Sequence, residues 1–115
     1  FEVISPAVDC AVAATHSGNI GVIGTRATIR SEIYAQKIKQ KAPKLRVFSQ
    51  ACPLLVPLVE EGWIDARETK MILRKYLAPL KQKQIDTLVL SWTHYPRLKY
   101  LMQHRVGKKR VRLID

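Results

Sequence analysis

No glycine-rich phosphate loop is present, because Gly21 and Gly24 do not make the GxGxxG spacing that lets a backbone wrap a pyrophosphate. A dinucleotide site is therefore not expected. No apolar run approaches the roughly 18 residues that a membrane span requires. The N-terminus also lacks a basic region followed by an apolar stretch and a small-residue cleavage site, so the expectation is a soluble, cytoplasmic chain without a membrane partner. Cysteine is scarce: Cys10 and Cys52 sit in dissimilar surroundings and form no CxxC pair, which argues against a disulfide framework or a zinc site. Two free thiols are expected, and no metal. There is no internal repeat and no low-complexity segment.

Acidic residues are few, with 9 Asp and Glu against 20 Lys and Arg, for a formal net charge of +11. The bases cluster at Lys37, Lys39, Lys41, Lys44 and Arg46, and again at Arg105, Lys108, Lys109, Arg110 and Arg112. Such an excess attracts polyanions over a Debye length of about 10 Å at ordinary ionic strength. Charge runs without interleaved aromatics read first as solvated helix faces and loop ends, or as the complement of an acidic domain not present here. Nucleic acid is thus an open partner that composition does not favour.

What is present is the apolar content of one domain, 47% of 115 residues. The chain opens on Phe1 with Val3-Ile4 close behind, which reads as entry in mid-strand, and stops after the strand-like run from Val111 to Ile114. It reads as a fragment of something longer. The Ala-rich stretch from Val8 to His16 favours helix, with Ser17-Gly18-Asn19 to end it. Ile20 to Gly24 reads as a strand buried on both faces. Thr28 is placed to cap a helix that carries Ile29, Ile33 and Ile38 and stops by about Ala42, before Pro43.

Leu45 to Ser49 predicts a third strand, and the two prolines in Leu54 to Gly62 predict a buried loop or short helix. Asp65 and Glu68 have the spacing of a capping box for a helix with Ile72, Leu73, Tyr76, Leu77 and Leu80 on one stripe, ended or bent by Pro79. Then come a strand at Leu88 to Leu90, a helix from Pro96 with Leu98, Leu101 and Met102 inward and Gly107 as its stop, and the closing strand. Strand and helix alternate throughout. This predicts an α/β domain with a parallel sheet and helices on both faces.

In such a sheet, chemistry belongs at the carboxyl ends of the strands. The residues that should meet there are Trp92, Thr93 and His94 after the strand at Leu88 to Leu90, Thr25 and Thr28 after the strand at Ile20, and Glu60 at the end of the apolar segment. A histidine exchanges protons near neutral pH, a carboxylate orients it or tunes its charge, and threonine hydroxyls hold a substrate carboxylate. Taken alone, Glu60 reads first as an exposed carboxylate beside Glu61, and a helix cap is enough to explain Thr28.

The combination Gly21-Val22-Ile23-Gly24-Thr25 with Thr28-Ile29, then Gln50-Ala51-Cys52-Pro53-Leu54 through Val56-Pro57-Leu58-Val59-Glu60, then Thr93-His94-Tyr95-Pro96, resembles the second half of a bacterial glutamate racemase. Order and spacing run through nearly the whole chain. The resemblance implies one flavodoxin-like lobe of a two-lobed enzyme, residues 1–115, with the first lobe absent. It also implies cofactor-independent interconversion of L- and D-glutamate for peptidoglycan synthesis, glutamate as the ligand of the complete enzyme, and compatibility with a homodimer.

By that resemblance two cysteine thiolates move the α-proton, His94 assists the second, Glu60 supports it, and Thr93 with Thr25 or Thr28 contacts substrate. The chain departs from the family here. Where the pattern reads Gly-Cys-Thr-His-Tyr-Pro it reads Ser91-Trp92-Thr93-His94-Tyr95-Pro96, so Trp92 stands at the place of the second catalytic cysteine. An indole N–H donates and cannot act as a base, and the ring is bulky enough to fill the substrate space. The expectation is a chain that does not racemise glutamate. Two other classes stay open: a non-catalytic binding or regulatory module with Trp92 as a plug, and a basic polyanion-binding domain.

Overall fold

The computed structural model describes residues 4–63, 65–91, 99–103 and 111–114. Among these residues, four strands form one parallel sheet: β1 (Asn19–Gly24), β2 (Arg46–Ala51), β3 (Thr87–Leu90) and β4 (Arg112–Ile114), in the order β2-β1-β3-β4. That order, with the first strand inside the second, is the flavodoxin-like one. Helices connect the strands: α1 (Ile4–Ala14) before β1, α2 (Arg26–Ser31) and α3 (Ile33–Lys41) between β1 and β2, and α4 (Leu55–Glu60) and α5 (Arg67–Gln82) between β2 and β3. Residues 99–103 are helical as well.

Alternating side chains along the central strands divide the core in two. Ile20, Val22 and Val89 pack with Ala7, Val8 and Ala11 of α1 and Tyr34 and Ile38 of α3. On the other face, Ile23, Leu88 and Leu90 pack with Leu55 of α4, Leu73, Leu77 and Leu80 of α5, and Leu101 and Met102. Burial on both faces is why β1 and β3 read as near-continuous apolar runs. Helices cover both sides of the sheet.

Four local expectations are corrected. Ile4 lies in α1 and not in an opening strand; Ala7, Val8 and Ala11 fall on one helical face, and burying that face decides the conformation. Val3 lies outside the described residues. The single helix expected after Thr25 is two, broken at Glu32, whose φ of 56° is left-handed and whose N–H bonds Ile29 O at 3.1 Å. The break re-aims the chain so that Tyr34 and Ile38, one turn apart, both reach the core.

The Asp65 and Glu68 capping box does not form. Helix α5 starts at Arg67 after Ala66 with no side-chain cap, and the entry is held instead by the buried Thr69, whose hydroxyl donates to Trp63 O at 2.6 Å. Pro79 neither ends α5 nor stops its packing. It is exposed in the last turns while Leu77 and Leu80 beside it are buried, and the helix runs on to Gln82. The segment containing Pro53 and Pro57 is a helix, α4, with Leu55 fully buried. The expected starts and stops at Pro96 and Gly107, and the burial of Leu98, lie outside the described residues.

Candidate active site at the carboxyl edge of the sheet

Three strands end together. The Cys52 N–H just beyond β2 donates to Gly24 O at 2.8 Å, and the Ser91 N–H just beyond β3 donates to Ile23 O at 3.1 Å. The exits of β1, β2 and β3 are thus pinned side by side by backbone bonds. Gly24 is required by this closeness. A Cβ there would clash with Ser91 Oγ and stand 3.6 Å from Thr28 Cβ, so a side chain at position 24 would displace the Ser91 hydroxyl.

Thr25 follows Gly24 directly and turns the chain into α2. Its Oγ1 accepts the Thr28 N–H at 3.3 Å and donates to Thr28 Oγ1 at 3.1 Å. Thr25, and not Thr28, is therefore the N-cap, because its extended backbone (φ −70°, ψ 165°) aims the hydroxyl back at the first turn. Thr25 is exposed and Thr28 half-buried, so the two hydroxyls form a small polar pair beside Gly24 and Ser91. Such a pair can hold a carboxylate or an ammonium by hydrogen bonds.

Of the candidate residues, the structure brings Thr25 and Thr28 together at this edge, with Ser91 against them. Glu60 is the last residue of α4, exposed, and separated from the exit of β2 by the length of that helix, about 9 Å. Trp92, Thr93 and His94 lie outside the described residues.

Neither thiol supplies a base here. Cys52 is buried at the end of β2, and burial pushes its thiol up to about 12, so near neutral pH it is protonated and inert. Cys10 is exposed on α1, outside this edge. Among the described residues no three His, Cys, Asp or Glu side chains gather as a metal site, and no helix is long and apolar enough to cross a membrane.

Sequence reasoning passed over Asp86, at the opposite, amino edge of the sheet. Its carboxylate accepts from Thr15 Oγ1 at 2.6 Å, from the N–H groups of His16 and Ser17 at 2.7 and 2.8 Å, and from Thr87 Oγ1 at 3.1 Å. Partial burial opposes its ionisation, and the hydrogen bonds from Thr15, Ser17, His16 and Thr87 outweigh that, holding it down at about 2. Its role is structural, tying the end of α1 to the start of β3. An Asp ahead of a buried strand was the only local signal.

No family model matches the chain. Curated and solved proteins do. The glutamate racemase of Syntrophus aciditrophicus is 50% identical over 115 residues, all of this chain and 42% of that protein. Among solved structures, a glutamate racemase isoform from Bacillus anthracis superposes with a TM-score of 0.88 at 38% identity, over 97% of this chain and 42% of that one. The Francisella tularensis glutamate racemase, solved in complex with D-glutamate, gives a TM-score of 0.86 at 34% identity over 98% of this chain and 41% of its own. The chain spans about two-fifths of the length of the relatives it matches.

Proposed function

Since the chain belongs to the glutamate racemase family, we propose that it is the second lobe of a two-lobed, cofactor-independent racemase and contributes one wall of a glutamate site. The reading is supported by the meeting of Thr25, Thr28 and Ser91 at the carboxyl edge of a sheet whose fold and sequence match that family. In the complete enzyme of the family type, the α-proton of glutamate leaves to a base on one face and a proton returns from an acid on the other. Both carriers are thiols. A second lobe contributes one of them, with a histidine and a carboxylate to hold its proton.

In this chain those positions carry Trp92, His94 and Glu60. Thr93, with Thr25 or Thr28, holds the substrate. Trp92 offers no proton carrier of suitable pKa, and an indole is far bulkier than the thiol it would replace. The chain alone therefore does not racemise glutamate.

The test is α-proton exchange in deuterated buffer with D- and with L-glutamate. No exchange above a buffer blank is expected from this chain, and turnover on both enantiomers would overturn the reading of inactivity. Trp92→Cys alone should remain inactive. Trp92→Cys combined in trans or by fusion with the complementary part of a relative should exchange, and failure of that fusion while the relative's own halves recombine productively would overturn the assignment of this lobe.

A further inference from the structure

We propose that the amino edge of the sheet, opposite the candidate site, docks the phosphate backbone of duplex nucleic acid. The edge is one continuous backbone row. Arg46 N–H donates to Gly18 O at 2.8 Å, Asp86 N–H to Asn19 O at 3.1 Å, and Arg112 N–H to Asp86 O at 2.9 Å. Arg46 opens β2 and Arg112 opens β4, the two outer strands, so they stand three strand spacings apart, about 14 Å. Lys44 lies two residues before Arg46, in the turn between α3 and β2. Lys83 closes the row: its carbonyl accepts the Asn19 side-chain amide at 3.1 Å, and its Nζ stands 5.7 Å from the ring centre of Phe48 on β2.

All four cations are exposed, and among the described residues none is paired with a carboxylate. The neighbouring Lys41 is different, being bound to Asp9. The one carboxylate of the row, Asp86, is spent on Thr15, His16 and Ser17. Helices α1, α3 and α5 end at this edge, and each C-terminus offsets about half a charge. The balance of four cations against Asp86 and three helix ends stays positive. Solvated helix faces account for isolated bases, but not for four along one line, on two outer strands and the two turns beside them, with no carboxylate partner among the described residues.

The partner follows from what the row lacks. Phe48 is half-buried beneath Lys83, and among the described residues no exposed aromatic side chain stands among the four cations to stack an unpaired base. A row of point charges without stacking surfaces suits the regular phosphates of a duplex, bound without sequence preference.

The experiment is a titration of a short labelled DNA duplex with the 115-residue chain, read by fluorescence anisotropy at several salt concentrations. Four phosphate contacts predict a log–log slope of affinity on salt of about −3 to −4. Arg46→Gln and Arg112→Gln should each flatten that slope by about one unit. Arg74→Gln and Lys75→Gln on the exposed face of α5 change the net charge equally and should leave the slope unchanged. Far-UV circular dichroism checks the fold of each variant, and Lys44→Gln replaces any rim variant that does not fold. Absence of salt-dependent binding would overturn the proposal, and so would equal weakening by the α5 variants, which would mean net charge alone is read.

Discussion

The Asp86 carboxylate accepts the Thr15 hydroxyl at 2.6 Å across 71 positions of sequence, and the same carboxylate holds the N–H groups of His16 and Ser17. It satisfies two backbone N–H groups just past the end of α1.

Asp86→Asn keeps the shape but removes the charge from those bonds. It should destabilise the chain by about 1 to 2 kcal/mol near neutral pH, in the range for hydrogen bonds to a charged acceptor after solvent screening. The folded value of about 2 lies below an ordinary carboxylate at about 3.9, so the contribution is fully present above pH 4 and is lost as pH falls toward 2. Urea unfolding of both proteins across that window should show the gap between them closing with acid. A gap independent of pH would contradict the assignment.

Gly24→Ala places a methyl group on the Ser91 hydroxyl and should cost about 1 to 3 kcal/mol as an overpacked contact. Ser91→Gly in the same chain should recover most of that loss. The double-mutant cycle then gives a coupling energy of about 1 kcal/mol or more, whereas independent effects would add.

The two thiols should differ sharply toward a disulfide reagent. Cys10 is exposed and should react as one equivalent in the native state, while Cys52, held protonated by burial, should react only on unfolding. Two fast equivalents in native buffer would contradict the burial of Cys52.

Leu73→Ala, at a fully buried position of α5, should cost about 2 to 5 kcal/mol. Met71→Ala, two residues earlier and 58% exposed, should change stability by less than about 0.5 kcal/mol. Comparable losses at both would mean that α5 packs through a different face.

The elements legible from pattern alone were those whose period matches their burial. Ile20 to Gly24 and Leu88 to Leu90 read as strands buried on both sides, and they are the two central strands. The stripe of Leu73, Leu77 and Leu80 read as the core face of α5, and it is. The meeting of Thr25 and Thr28 at the carboxyl edge followed from the order of strands and helices. The contacts that ordering cannot supply were misread or missed: Thr25 rather than Thr28 caps α2, Thr69 rather than Asp65 anchors α5, and Glu32 breaks one helix into two.

The amino-acid order by itself determined the class of fold and the alternation of helix and strand, because both are written in local spacing. Tertiary structure alone decided which strand lies beside which, that Gly24 and Ser91 compete for one volume, that four cations line one edge, and that Asp86 reaches back to the end of α1. These are distances between residues far apart along the chain, set by how two apolar layers close on the sheet, and no local pattern carries them.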